Sequence, residues 1–269
     1  MAFRDTILDM DRRLAWLERS LYEGFARIYD SEVIITPSWI QIVTPSLNNP
    51  LRNAVCCNIS AEAEVDEQIR QTLRLYQSKG LRCSWVVGPR TRPLDMGERL
   101  LAAGFKQAAI SWGLTAHLSE LSLPVAPSST EPRIDIELLG EHNLDKWLHV
   151  HQAVWSVPPE LAARMREARQ RKAFDTGHGI LEYVARANET AMGIAALHLF
   201  DEFAHLSEGA ILPGFRKQGV FLRLVRKRLE TLREMGLSFV TVHALPSTSG
   251  PIFQKMGFRR AYDFVRYVL

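Results

Sequence analysis

Apolar and polar positions along residues 133–269 alternate with the periods of short strands and amphipathic helices, and they predict the element order βααβββαβαβ. Strands are predicted at 133–138, 180–186, 191–199, 203–212, 238–245 and 258–268. Helices are predicted at 140–154, 159–173 and 219–235, with a short one from Pro251 to Gly257. This half of the chain therefore reads as an α/β unit.

The N-terminal half shows related signals. A helix is predicted from residue 3 to about 29, and the pattern then gives a helix at 61–79, a strand at 81–87, a short helix at 95–103 and a closing strand. Asp95 and Glu98 have the spacing of a capping box at the short helix. Both halves close on the same pair, Gly104-Phe105 and Gly257-Phe258, which predicts a duplicated domain. The alternative is two unrelated α/β units that both end a helix with glycine.

Residues Ser122 to Pro132 contain three prolines and two adjacent serines and lack a periodic apolar pattern. We read this segment as a linker. It predicts two domains, 1–125 and 126–269.

The composition excludes several classes of protein. No apolar stretch approaches the roughly 20 residues of a membrane span, so no membrane partner is expected. Charged residues, among them Arg4 and Asp5, stand where a signal peptide would need an apolar core, so we expect a cytoplasmic protein. The three cysteines, Cys56, Cys57 and Cys83, lack metal-ligand spacing and are read as core residues, so no metal site is expected.

The formal net charge is only +3, but basic residues concentrate in one segment. Between Arg216 and Arg233 there are seven basic residues and one acidic residue, Glu230. Such a segment indicates either a local anionic ligand or a solvated helix face.

The junction of a strand and the long helix, residues 211–221, carries the most specific signal. The first N–H groups of a helix have no partner within the helix and attract anions, so a glycine turn there can wrap a pyrophosphate with main-chain donors. Gly219 supplies the turn, and Arg216 and Lys217 add positive charge. The alternative is an ordinary basic turn.

The pattern L-P-x-x-R-x-x-G at 212–219, followed by a helix, a strand and a short helix ending in K-x-G-F, resembles the GNAT superfamily of acyl-CoA-dependent N-acetyltransferases. The resemblance covers 133–269. It implies an α/β (α+β) fold of two tandem GNAT-like domains, each a mixed, mostly antiparallel twisted sheet flanked by helices. It also implies acetyl-CoA as cosubstrate and a coenzyme A site made of Ile211, Leu212, Arg216, Lys217, Gln218, Gly219, Val220, Phe221 and Phe253. The family usually has a small residue at position 221, so Phe221 must point away from the ligand or narrow its site.

The resemblance also implies a catalytic base on the strand that leads to the turn, where Glu208 stands. In a strand, Glu208 would share a face with apolar residues, and desolvation would raise its pKa toward neutrality. The alternative is a solvated charge at a strand end. His243, on a later strand, is a second candidate base, or else a structural histidine.

The proton donor to the departing thiolate is less obvious, because many members of the family have a tyrosine where this chain has Phe253. Ser249 or a water molecule is then the candidate acid. Ser249 is equally suited to cap the short helix.

The acceptor site is predicted around residues 147–159, where His151 and Trp155 can line a pocket. The alternative is a packed helix face. In the N-terminal half, the corresponding turn has no glycine and carries Glu62, Glu64, Asp66 and Glu67, which would repel a pyrophosphate. That half resembles a degenerate copy without coenzyme A.

We therefore expect an N-acetyltransferase that acts on the primary amine of a small molecule, with a homodimer contact through the opening helix as a possibility. The first alternative is a non-catalytic acyl-CoA-binding or regulatory module, suggested by Phe221 and Phe253. The second, which we do not favour, is a nucleic-acid-binding protein that uses Arg223, Arg226, Lys227, Arg228 and Arg233.

Overall fold

Our computed structural model of the protein describes residues 2–122, 134–172, 174, 177 and 179–269. Within these ranges it contains seven α-helices and eleven strands. No described helix combines the length and the apolar character needed to cross a membrane.

The elements of the first half are α1 Ala2–Ala26, β1 Glu32–Ile35, β2 Ile40–Val43, β3 Ala54–Cys56, α2 Val65–Ser78, β4 Ser84–Val87, α3 Met96–Ala102 and β5 Lys106–His117. Those of the second half are β6 Asp135–Leu138, α4 Leu144–Trp155, α5 Pro159–Arg171, β7 Ile180–Ala187, β8 Thr190–Leu199, β9 Ala204–Ile211, α6 Val220–Glu234, β10 Phe239–Ala244, α7 Ser249–Lys255 and β11 Arg259–Val268.

The chain divides into two compact units. Unit 1 comprises Met1–Leu114, His243–Pro251 and Arg260–Leu269, and unit 2 comprises Thr115–Val242 and Ile252–Arg259. Residues 123–132 of the predicted linker lie outside the described residues, and so does the predicted boundary between 125 and 126.

Unit 1 is a mixed sheet in the order β1-β2-β3-β4-β11-β5. Strands β3 and β4 are parallel, whereas β1, β2 and β3 form an antiparallel run. The last strand, β11, pairs antiparallel with β4, with Val265 opposite Val87. Helix α2 packs on this sheet through Tyr76, whose hydroxyl donates to the carbonyl of Ile42 at 2.6 Å.

Unit 2 contains the strand order β10-β9-β8-β7-β6. All neighbouring pairs are antiparallel except β9 and β10, which are parallel. Helices α4 and α6 both contact β8 and β9. Glu208 on β9 is directed to α4, and the next residue, Gly209, lies under Phe221 of α6. Helix α4 thus contacts β9 at Glu208, and α6 contacts it at Gly209.

The structure confirms the predicted fold class, an α/β chain of mixed and mostly antiparallel sheet with flanking helices, and the element order of the second half. Three helix starts differ by two or more residues. Helix α4 begins at Leu144 and not at residue 140, because Glu141–Asn143 form a 3-10 turn. Helix α2 begins at Val65 because residues 61–64 form a turn in which the N–H of Glu64 donates to the carbonyl of Ala61. Helix α7 begins at Ser249, before Pro251.

The predicted capping box at α3 is wrong. Asp95 occupies the N-cap position but makes no side-chain cap hydrogen bond. Its carboxylate instead accepts from Nε of Arg99, four residues later, at 3.0 Å. The ion pair with a guanidinium thus replaces the bond to a backbone amide.

Four helices, α2, α3, α6 and α7, end in the same way. Each is followed by a glycine with positive φ, namely Gly80, Gly104, Gly236 and Gly257. In each case the glycine N–H donates to the carbonyl three residues back, and the next N–H donates to the carbonyl five residues back. This is the Schellman motif, which glycine favours because it lacks Cβ. The same pair of endings in both halves supports the predicted duplication.

Candidate functional site

Strand β9 contains an irregularity at Glu208. In the pairing with β8, Ala210 lies opposite Ile194 and Ser207 opposite Ala196, so two residues of β9 face the single Ala195. Glu208 adopts φ of +50° there. A β-bulge of this kind bends the strand and redirects a side chain.

Beyond the bulge, β9 separates from its parallel neighbour. The pairing of β9 with β10 ends at Leu206 and Val242, although β9 continues to Ile211. The main chain of β9 is therefore released from β10 over its last residues, next to Glu208.

The carboxylate of Glu208 is buried against α4. Its side chain is 8% exposed, and its Oε1 lies 3.9 Å from Nε2 of His151, whose side chain is 6% exposed. The prediction had placed Glu208 and His151 in different roles and gave no contact between them. The structure brings them together.

His151 lies between two tryptophans on the same helix face. Its ring centroid is 4.6 Å from that of Trp147 and 4.4 Å from that of Trp155. Residues four positions apart on a helix share a face, so the spacing of the three residues creates this stack. Trp147 is fully buried, while Trp155 is 41% exposed and forms the open end.

A buried ion pair between Arg169 and Glu182 lies against Trp147, the buried end of the stack. The guanidinium of Arg169, on α5, lies 3.8 Å from the ring centroid of Trp147. It donates to both carboxylate oxygens of Glu182, at 3.1 and 2.6 Å, and to the carbonyl of Met165 at 3.1 Å. A bidentate pair fixes the plane of the guanidinium and hence its position over the indole.

The predicted anion-binding turn joins β9 to α6. A short 3-10 turn, Pro213–Phe215, is followed by Arg216, Lys217, Gln218 and then Gly219 as the N-cap of α6. Gly219 has φ of +75°, a conformation that favours glycine. Nε2 of Gln218 donates to the carbonyl of Gly214 at 2.8 Å, which closes the turn.

The residues of this turn fit an anionic group. A Cβ placed on Gly219 would meet no atom within 4 Å, so the backbone is open to a ligand. The first turn of α6 has no acidic residue, and Arg216 and Lys217 are exposed. The first N–H groups of α6, from Val220 onward, carry the partial positive charge of the helix start.

Phe221 points to the sheet and away from the turn. A Cβ on Gly209 would lie 3.1 Å from Cε2 of Phe221, and the Phe221 ring meets that of Phe253 at a centroid distance of 5.7 Å. Phe253 is 2% exposed and also contacts Phe258, at 5.0 Å. The bulky residue therefore leaves the start of α6 open.

Ile211 and Leu212, which precede the turn, are half-buried. The N–H of Leu212 donates to the carbonyl of Met192 at 3.0 Å. That N–H is thus committed to the sheet.

Two predicted catalytic residues belong to unit 1. Ser249 is the first residue of α7, and its hydroxyl oxygen accepts from the N–H of Leu245 at 3.2 Å. Nε2 of His243 lies 3.1 Å from the carbonyl oxygen of Leu17 and 3.3 Å from Oγ of Ser20. Burial lowers the pKa of His243 to about 4, so its imidazole is neutral near pH 7.

The sequence also matches a known family. Residues 144–258 match the model of the acetyltransferase (GNAT) family. This segment contains α4, the bulge at Glu208 and the turn at Gly219. Residues 144–258 form a GNAT domain. The resemblance inferred from the motif at 212–219 is thereby confirmed, and this GNAT domain is of the acyltransferase class.

Solved structures share the fold over most of the chain. A conserved protein of unknown function from Staphylococcus epidermidis has a TM-score of 0.66 at 17% identity, covering 91% of this chain and 96% of its own. A GCN5-related N-acetyltransferase from Kribbella flavida has a TM-score of 0.61 at 10% identity, covering 88% and 89%. A tandem GNAT protein from the clavulanic acid biosynthesis pathway has a TM-score of 0.57 at 11% identity, covering 86% and 78%. At these identities the likeness concerns the fold alone.

No curated protein matches the sequence significantly. Within the described part of the chain, no group of three or more His, Cys, Asp or Glu side chains is placed to hold a metal ion.

Unit 1 has a different chemistry at the turn that corresponds to Gly219 of the GNAT domain. The N-cap of α2 is Glu64, and Asp66 and Glu67 follow in the first turn. Arg99 donates to Asp66 at 3.0 Å and to Glu62 at 3.3 Å. The start of α2 thus carries carboxylates that pair with a guanidinium of the same unit.

Sequence reasoning missed two features of the GNAT domain. The Arg169 and Glu182 pair gives no local signal, because its members lie on different elements. Arg228 was read as part of a basic helix face, but it is 1% exposed. Its place in the helical period, beside the apolar Leu224, Val225, Leu229 and Leu232, was the available signal.

Proposed function

We propose that the GNAT domain transfers an acetyl group from acetyl-CoA to the primary amine of a small molecule. The observation that carries this proposal is the buried carboxylate of Glu208, held 3.9 Å from His151 on the strand that leads into the open turn at Gly219. In this proposal, β9 connects the buried carboxylate of Glu208 to the start of α6, which binds the anionic part of the coenzyme.

The coenzyme A site of this proposal begins at the turn. Main-chain N–H groups at the start of α6, from Gly219 to Phe221, bind the pyrophosphate, and Arg216, Lys217 and Gln218 add polar and charged contacts. The pantetheine arm lies along the released end of β9 at Ile211 and Leu212. Phe253 and Phe221 form the apolar wall behind it.

Acetyl-CoA supplies the activated acyl group as a thioester. Glu208 takes a proton from the substrate ammonium, and the amine nitrogen attacks the thioester carbonyl to give a tetrahedral intermediate. The C–N bond forms, and the C–S bond then breaks. The second proton on the nitrogen is lost as the thiolate gains one, directly or through a relay, so that the products are the amide, the free thiol and a protonated Glu208. His151 lies beside the carboxylate, with its Nε2 3.9 Å from Oε1 of Glu208.

The acceptor site combines an exposed aromatic ring with this buried carboxylate. Trp155 presents its partly exposed ring at the open end of the stack, next to His151. An ammonium group is attracted both by a carboxylate and by the face of an indole. We therefore propose that His151 and Trp155 bind the acceptor and that the acceptor is a primary amine.

The proton for the thiolate comes from Ser249 or from water. Phe253 has no hydroxyl, and its ring is buried between Phe221 and Phe258. Replacing Ser249 with alanine decides between the two donors. A loss of roughly 10²–10⁴-fold in kcat assigns the hydroxyl, whereas a native kcat assigns water. His243 remains the second candidate base, and Glu208→Gln tests it by exclusion.

We further propose that unit 1 binds no coenzyme A, because the turn before α2 carries Glu62, Glu64, Asp66 and Glu67. A homodimer contact through α1 and a cytoplasmic location remain predictions.

A thiol-release assay with acetyl-CoA and a panel of primary amines tests the function directly. We expect release with at least one amine and none with the matching N-acetylated amine. The second candidate function, an acyl-CoA-binding module without catalysis, is favoured by the buried, hydroxyl-free Phe253. Such a module would bind coenzyme A in calorimetry and release no thiol with any amine.

A further inference from the structure

Arg228 of α6 is buried against β9, the strand that carries Glu208, and its neighbour β8. Arg228 is 1% exposed. Its Nε donates to the carbonyl of Leu224 at 3.0 Å, and its Nη1 donates to the carbonyls of Ala196 and Ser207 at 3.1 and 3.3 Å. One guanidinium thus ties α6 to β8 and β9 at once.

This arrangement is expensive in free energy. Burial lowers the pKa of Arg228 to about 10, which reflects the cost of keeping the cation away from water. An apolar side chain of similar volume would fill the same space without that cost. What Arg228 provides and an apolar side chain does not is a set of N–H donors to carbonyl oxygens.

The two strand carbonyls that Arg228 binds, those of Ala196 and Ser207, lie beside the bulge at Glu208. Ala196 and Ser207 face each other in the register immediately before the bulge, and Glu208 follows Ser207 directly. A bulge interrupts the ladder of main-chain hydrogen bonds, so carbonyls beside it need other donors. Nη1 of Arg228 supplies a donor to both strands at this position.

Glu208 itself is in a strained conformation. A residue with a side chain at φ of +50° lies in the left-handed region, a conformation that persists only where the surroundings impose it. The clamp from Arg228 is such a surrounding constraint, because it fixes the carbonyl of the preceding residue.

We propose that Arg228 is a positioning residue that holds the β9 bulge and thereby aims the Glu208 carboxylate at His151. The proposal rests on the proposed function, in which Glu208 is the base. Arg228 touches neither substrate nor acetyl-CoA, and acts only through the main chain of Ala196 and Ser207.

The variants that test this role are Arg228→Met and Arg228→Lys, with Arg226→Met as control. Methionine fills part of the space without donors, and lysine keeps the charge with a single donor group. Arg226 lies on the same helix and is half-buried, and its Nε donates to Glu230 at 2.7 Å. Residues two positions apart lie on different faces of a helix, so Arg226 does not share the face of Arg228.

We expect Arg228→Met to lower kcat on the order of 10²-fold, since displacement of a catalytic group by about 1 Å has effects of this size. The affinity for acetyl-CoA should stay within about twofold, because the turn at Gly219 is untouched. Arg228→Lys should be intermediate in kcat. Arg226→Met should behave as wild type.

A double variant separates positioning from general stability. If Arg228 acts through Glu208, then Glu208→Gln combined with Arg228→Lys is no slower than Glu208→Gln alone. Losses in kcat that multiply would overturn the proposal. So would a native kcat and pH profile in both Arg228 variants, measured well below their melting temperatures.

A readout without turnover keeps this test independent of the proposed function. In protein labelled with ¹³C at the glutamate carboxyls, the Glu208 signal is assigned by its loss in Glu208→Gln. Its titration midpoint should move in Arg228→Lys and stay in place in Arg226→Met. An unmoved midpoint overturns the positioning role, whereas a moved midpoint with no thiol release from any amine overturns the proposed function alone.

Discussion

Nε2 of His151 and Oε1 of Glu208 lie 3.9 Å apart, and both side chains are more than nine-tenths buried. The two groups reach this position from different elements, His151 from the middle of α4 and Glu208 from the bulge in β9. A helix and a strand bulge thus bring an imidazole and a carboxylate together in one buried site.

Replacing Glu208 with glutamine should lower kcat by roughly 10²–10⁴-fold, because the amide keeps the shape and removes the base. The acidic limb of the kcat/KM profile against pH should disappear with it. Steady-state kinetics over pH 5–9 check both effects.

Glu189→Gln is the matched control for this change. Its side chain is 89% exposed and pairs with Lys146 on the surface of the same unit. It should leave kcat and the pH profile unchanged. If Glu208→Gln behaved in the same way, Glu208 would have no part in proton transfer, and His243 or solvent would take the role.

Replacing Gly219 with glutamate should abolish the increase in melting temperature that acetyl-CoA causes. The new carboxylate would occupy the space at the turn where the pyrophosphate is proposed to bind. Gly236→Glu is the control: Gly236 lies just beyond the opposite end of α6, has φ of +74°, and likewise has open space around its Cβ position. Both variants carry the same backbone strain and the same charge. An unchanged ligand shift in Gly219→Glu would place the coenzyme elsewhere.

Replacing Arg216 with alanine should weaken acetyl-CoA binding less than Gly219→Glu does. Arg216 is exposed, and its Nε donates to the carbonyl of Ile211 at 3.3 Å, so its loss removes one charge and leaves the main-chain donors. Calorimetry measures both affinities. A larger loss in Arg216→Ala would make side-chain charge the main determinant.

Calorimetry should also return one coenzyme A per chain. The turn before α2 holds carboxylates paired with Arg99, and this arrangement disfavours a pyrophosphate. In Gly219→Glu the stoichiometry should fall to zero. Two sites in the wild type, or residual binding in the variant, would contradict the interpretation of unit 1 as a degenerate copy.

His243 should make unit 1 sensitive to acid. Burial lowers its pKa from 6.5 to about 4, so between these values the unfolded chain binds a proton that the folded state does not. The free energy of unfolding therefore falls as the pH drops from about 6.5 to 4. Replacing His243 with glutamine, whose amide can still donate to the carbonyl of Leu17, should reduce this dependence.

Chemical denaturation at pH 7 and pH 5 measures the effect as a difference between variant and wild type. His142→Gln is the control, because His142 has a side chain that is 70% exposed. Equal pH dependence in the wild type and in His243→Gln would show that the buried imidazole contributes nothing to acid sensitivity.

Local rules were sufficient for α6 and its flanks. Gly219 and Gly236 bracket an amphipathic run, and both glycines adopt the positive φ that their positions require. The geometry of the turn before α6 was predictable for the same reason, since it depends on a few consecutive residues. Of the three cysteines predicted in the core, Cys56 and Cys83 are buried, whereas Cys57 is only half-buried.

The rest depends on contacts between distant residues. The bulge at Glu208 depends on the register of β9 against β8, which no local pattern of the sequence shows. The helical period indicates that Arg228 is buried, but it does not indicate that its guanidinium reaches the carbonyl of Ser207. Strands β1 to β3 are only three or four residues long, too short for a periodic pattern to establish. The capping box failed at Asp95 because Arg99 competed for the carboxylate.

The partner of β11 has a consequence for biosynthesis. This strand pairs with β4, so unit 1 is built from segments of the chain that precede and follow Thr115–Val242 in sequence. During translation, unit 2 has most of its sequence available while unit 1 still lacks a strand between β4 and β5. The edges of β4 and β5 stay open over that interval, and an open edge is a template for intermolecular pairing. Nascent chains halted before β11 emerges therefore expose strand edges that the complete chain covers.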